Sequence, residues 1–108
     1  MFRTIGSRAA IFLLLCAAPA LAQSEVGNVA DGQKLVAEAC STCHPVEGPT
    51  AAGQQAPPLA AVAQMHSTTS LSLHAFLLTP HPSMPNYRLA PKEVDDVVAY
   101  ILSLRQPH

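Results

Sequence analysis

Cys40-Ser41-Thr42-Cys43-His44 is a C-x-x-C-H run, and its reading decides the fold. Two thiols two residues apart on one helical turn can each add to a porphyrin vinyl group as a thioether, and the residue that follows brings an imidazole nitrogen beneath the iron. The run therefore reads as a covalent haem attachment site, with Cys40 and Cys43 as thioether residues and His44 as proximal iron ligand. Three other chemistries use paired cysteines. A thioredoxin-like dithiol expects a preceding strand and a βαβ context, and neither pattern surrounds Cys40. A structural zinc site needs further ligands, and no cysteine follows Cys43. A disulfide across two intervening residues would be strained and would close too short a loop to add much stability.

Upstream, Met1 to Ala22 has the form of a cleaved export signal. Arg3 and Arg8 are followed by an apolar run from Ala9 to Ala18 and by Ala20-Leu21-Ala22, a small-x-small cleavage pattern. The apolar run is shorter than a bilayer span and ends at Pro19, which argues against a retained transmembrane helix. Removing these 22 of the 108 residues leaves 86, enough for one domain over residues 23–108. That part carries four basic and seven acidic residues, a formal charge of −3, so it has no electrostatic footprint for nucleic acid. Its aromatics are Phe76, Tyr87 and Tyr100, with no Trp. So small a core usually needs a staple or cofactor, and the haem-free chain is expected to fold poorly.

Helices account for most of the rest. Asn28 is a good N-cap, with Asp31 in the place of a capping-box acid, and the helix it starts runs from about Val29 to Ala39 into the haem motif. Gly32 and Val36 share one face of it, where a glycine permits another helix to approach closely. Pro45, Gly48-Pro49, Gly53 and Pro57-Pro58 make the following stretch a loop. Leu59 to Met65 reads as a short helix. Ser70 caps another from Leu71 to about Leu78, with Leu73, Phe76 and Leu77 as its apolar face. Thr79 to Tyr87 is a loop pinned by Pro80, Pro82 and Pro85, which hold Met84 with little freedom left to lose. Pro91 opens the last helix. Glu93, Asp95 and Asp96 complement its N-terminal dipole and Arg105 the other end, Ala90 is a poor N-cap, and Val94, Val97, Val98, Ile101 and Leu104 form an apolar stripe.

From about Gly27 to Arg105 the chain resembles small class I c-type cytochromes, the monohaem, all-helical kind of bacterial periplasms. The resemblance is carried by Asn28 to His44, the Pro57-Pro58-Leu59 step, the Met84-Pro85 pair, and the terminal helix with Val97 and Tyr100. It implies an all-α cytochrome c-like fold in which N- and C-terminal helices cross, Val97 and Tyr100 pack across Gly32 and Val36, and short helices and loops wrap one covalently bound haem c. It also implies that a proline of the P-x-L step, Pro57 with Pro58 as the alternative, offers its carbonyl to the second ring N–H of His44, and that Leu59 packs against the haem. Met84 takes the place of the family's distal ligand, forty residues beyond His44. His81, in the same loop, is the rival, whereas Met65 and His66 read as a helix end and His74 as a helix surface.

These assignments imply a periplasmic electron-transfer protein, because an iron with both axial positions filled by side chains has no place for substrate. No catalytic Ser/His/Asp pattern or phosphate-cradling loop offers another chemistry. Its partners are then redox proteins docking through a small, mainly apolar contact, with no stable membrane anchor once the leader is removed. An open-site haem enzyme or sensor, with His81 over the iron, and a cytochrome subunit of a larger dehydrogenase or oxidase are the alternatives.

Overall fold

The computed structural model describes residues 26–49 and 56–107. The leader expected over residues 1–22, and the middle of the loop after His44, lie outside the described residues. Among the described residues four helices follow in order: α1 (Val29–Ala39), α2 (Leu59–Gln64), α3 (Ser70–Leu78) and α4 (Pro91–Ser103). Among the described residues there is no strand, only an isolated antiparallel bridge between His81 and Met84. The chain is all-α, and α4 is the element against which α1, α2 and α3 all pack.

That role follows from the composition of α4. Val94, Val97, Val98, Ala99, Tyr100 and Ile101 are all buried, and all but Ala99 form one cluster with Val36 of α1, Leu59 and Ala63 of α2 and Leu73 of α3. Leu104, at the end of the stripe, is partly buried against the same cluster. The crossing of α1 and α4 is set by Gly32, where a Cβ would run into the Asp96 carbonyl oxygen and lie 2.9 Å from Tyr100 Cβ. Gly27 lies against α4 too, at φ +136°, facing the Asp95 carbonyl, a position only glycine takes readily.

The caps show where local sequence misleads. Asn28 Oδ1 accepts the Asp31 N–H at 3.0 Å as expected, but the Asn28 N–H donates to Asp96 Oδ1 at 2.7 Å. The acid completing this cap thus comes from α4. Asp31 instead faces Lys92 at 3.5 Å. On α3 the N-cap is Thr69, one residue before the expected Ser70, because Ser72 reciprocates: Thr69 Oγ1 accepts the Ser72 N–H at 3.1 Å and the Ser72 hydroxyl accepts the Thr69 N–H at 2.8 Å. Ala90 offers no side-chain cap, and the Glu93 carboxylate accepts its N–H at 2.7 Å. Arg105 does not serve its own helix. Its guanidinium donates to Ala63 O at 3.0 Å and Thr68 O at 2.7 Å, satisfying an orphan carbonyl of α2 and tying down the link to α3.

Two expectations for α3 are corrected. His74 is no bare surface histidine, since its ring bridges Ser70 O and Asp95 Oδ1, each at 2.7 Å, and joins α3 to α4. Phe76 is 53% exposed, at the edge of the face that Leu73 and Leu77 share, about 100° round the helix from Leu77; its ring lies against His81.

Asp96 is only 4% exposed. The Lys92 ammonium, donating at 2.6 Å, and the Asn28 N–H together hold its carboxyl below the usual carboxylate range. A carboxyl depressed by folding contributes stability that is present above its unfolded pKa and lost as pH falls through its folded one. Lys92, raised chiefly by the same hydrogen bond, loses its share only as pH climbs past the lysine range. Thermal melts of the holoprotein are expected to show Asp96→Asn less stable than wild type at neutral pH, with the difference shrinking towards acid. Parallel acid limbs would remove this role from Asp96.

Candidate functional site

The C-x-x-C-H run leaves α1 without a break. Cys40 is the C-cap of α1, its N–H donating to Val36 O, and the N–H groups of Cys43 and His44 turn back onto Cys40 O at 3.1 and 2.9 Å. The next residues are laced to the start of α2, with the Leu59 N–H donating to Pro45 O and the Ala60 N–H to Val46 O, both at 2.9 Å. This lacing brings the proline step beside the histidine. His44 Nδ1 lies 2.8 Å from Pro57 O, and since a carbonyl can only accept, the Nδ1–H donates and Nε2 keeps its lone pair. Pro57, not Pro58, makes this contact.

A partly open cleft lies beside the motif. One wall is Leu35, Ala39 and Cys40 at the end of α1, with Leu77 and Val97; the other is the 79–89 loop, including His81, Met84, Tyr87 and Leu89. Of the site residues singled out from sequence, Cys40, Met84 and its rival His81 line this cleft. Cys43, His44 and Pro57 stand on the adjoining turn, and Leu59 is buried in the core cluster with α4. Leu35 and Leu89 also line it without having been singled out from sequence, and Leu77, expected on the apolar face of α3, does so too. For Leu35 the signal is that it and Ala39 stand four apart on one face of α1.

Met84 and His81 occupy the same wall. The Met84 N–H donates to His81 O at 3.3 Å, closing the turn, and His81 Nε2 lies 3.2 Å from Met84 Sδ. His81 Nδ1 faces Thr79 O at 2.7 Å, and the Phe76 ring stacks on the imidazole with centroids 3.6 Å apart.

The donor set fits a covalently held haem better than its rivals. Cys40 and Cys43 are not bonded to each other. Burial pushes the Cys40 thiol up, and Cys40 ends a helix, the pole that disfavours a thiolate; redox dithiols sit at the opposite pole with depressed values. Among the described residues no three His, Cys, Asp or Glu side chains converge as they would around a bare ion. Two unpaired thiols, an imidazole with a fixed Nε2 lone pair, and a cleft lined by apolar side chains with Met84 and His81 among them make a set for a large planar iron ligand.

The comparisons agree. The family model described as Cytochrome c matches residues 29–105. The chain is 36% identical to cytochrome c-552 of Bradyrhizobium diazoefficiens over 96 residues, 88% of this chain and 92% of that protein. No solved structure matches. Membership implies covalently bound haem c as the cofactor. With α1 running into an unpaired C-x-x-C-H and crossing α4 at Gly32, the chain belongs to the cytochrome c family.

Proposed function

We propose that this haem-based electron carrier is exported, loses residues 1–22, and shuttles single electrons between redox proteins in the periplasm, with Cys40 and Cys43 as thioether anchors and His44 and Met84 as the axial iron ligands. The observation that carries the reading is the 2.8 Å contact of His44 Nδ1 with Pro57 O. It fixes the tautomer, aims Nε2 and raises its basicity, as the outer-sphere partner of a metal-bound histidine does. In the cleft wall, the turn of residues 81–84 between Pro80 and Pro85 holds the Met84 thioether.

When bound, haem supplies an Fe(III)/Fe(II) couple whose potential a methionine ligand raises. The chain's part is to hold that couple and keep it closed. Leu35, Leu77, Leu89 and Val97 wall off water on the cleft side, which favours the state of lower charge. With both axial positions taken by side chains there is no vacant site for substrate, so the protein is a carrier and not an enzyme. No helix among the described residues is long and apolar enough to cross a membrane. Periplasmic residence rests on the Arg3/Arg8, apolar-run and Ala20-Leu21-Ala22 pattern.

The test is optical. Ferric holoprotein is expected to be low-spin with a weak red-edge sulfur-to-iron band, and the reduced form to be indifferent to carbon monoxide. A high-spin ferric spectrum with rapid carbon monoxide binding would sink the carrier reading in favour of an open-site enzyme or sensor.

A further inference from the structure

We propose that His81 is a second distal ligand, a nitrogen donor that takes the iron when Met84 leaves it, so that the chain has two closed ligation states. The inference rests on the His44/Met84 reading above. It comes from comparing histidines. His44 and His81 are held in the same way: Nδ1 faces a backbone carbonyl, Pro57 O at 2.8 Å in one and Thr79 O at 2.7 Å in the other. In each case the neutral ring carries its proton on Nδ1 and presents Nε2 as a bare donor, the arrangement of a metal-ligating imidazole. His74 is held differently. Its second nitrogen faces the Asp95 carboxylate at 2.7 Å, a strong acceptor that ties the ring to α4, whereas His81 Nε2 meets only the weakly accepting Met84 thioether at 3.2 Å.

Placement completes the argument. His81 Nε2 and Met84 Sδ are 3.2 Å apart and their residues line the same cleft. With the ring proton on Nδ1, that contact brings together two lone-pair donors that compete for one position on one face. Exchange between them needs no refolding, because the bridge between His81 and Met84 closes their turn and the Phe76 ring braces the imidazole. The two states differ in driving force, since methionine ligation raises the potential relative to two histidines. Losing the thioether therefore makes the carrier a stronger reductant without opening its iron.

Three holoprotein variants and the wild type test this by ferric spectra and carbon monoxide binding to the reduced forms. Met84→Ala is expected to lose the sulfur band yet stay low-spin and bind carbon monoxide sluggishly, and Met84→Leu, which keeps the side-chain bulk, to behave alike. The Met84→Ala/His81→Ala double variant is expected to be high-spin and to bind carbon monoxide rapidly. If both single variants are already high-spin and bind carbon monoxide as fast as the double, His81 does not reach the iron and the proposal is overturned while Met84 stands. A wild type without the sulfur band overturns both, since Met84 is then not the resident ligand.

Discussion

Gly32→Leu is expected to abolish accumulation of holoprotein. Even a β-carbon at residue 32 meets the backbone carbonyl of Asp96, and it lies 2.9 Å from Tyr100 Cβ. A carbonyl inside α4 cannot swing aside as a side-chain tip would, so the helices must separate. Separation breaks the 2.7 Å bond from the Asn28 N–H to Asp96 and uncovers Val36 and Val97, which are 1% and 2% exposed. Replacing a helical glycine by a better helix former returns about 1 kcal/mol. Overpacking costs about 1–3 kcal/mol where side chains can still adjust, and here the obstacle is backbone. The cost wins. Gly32→Ala is expected to lower the melting temperature of any holoprotein recovered, and Ala37→Leu, on the exposed side of the same helix, to leave yield and melting unchanged. Normal yield of Gly32→Leu with an unaltered melt would mean that α1 and α4 do not cross here.

That crossing shows what a sequence can and cannot disclose. The limits of α1 and α4 were legible because their signals are local: Asn28 before an apolar-periodic run, Pro91 at a first turn, valines at helical spacing. The need for a small residue at Gly32 was legible too. Its reason, the Asp96 carbonyl, was not, because no local pattern joins residues 68 positions apart such as Asn28 and Asp96. The same holds for Arg105, whose helix-end position suggested a dipole role while its reach carried it to Ala63 and Thr68. At the site, C-x-x-C-H and Met84-Pro85 were visible as motifs. Which proline met His44, and that His81 shares its carbonyl-bound Nδ1, depended on the path of two proline-bounded turns, which residue identity does not encode.

A Cys40→Ser/Cys43→Ser chain prepared without haem is expected to lack a cooperative thermal transition and most of the helical signal of the holoprotein. The four helices have 11, 6, 9 and 13 residues, and isolated helices shorter than about 12–15 residues are marginal in water. They must therefore be held by packing. Most of the buried apolar residues belong to α4, whereas α1 and α3 supply one each, Val36 and Leu73. Leu35, Leu77 and Leu89 face the cleft and are only partly buried by protein. Covering apolar side chains contributes about 25 cal/mol per Å², and under the proposed ligation the body that covers these three on the cleft side is the cofactor. Without it, the 79–89 loop loses the body it packs on and α3 keeps only its α4 side, Leu73 in the core and the His74–Asp95 contact, while α1 and α2 keep their packing on α4. By hydrogen exchange, residual protection is thus expected to be strongest where α1 crosses α4, with the 79–89 loop unprotected. A haem-free serine variant that melts cooperatively with the helix content of the holoprotein would show that the polypeptide core suffices, and that the cleft is preformed independently of what fills it.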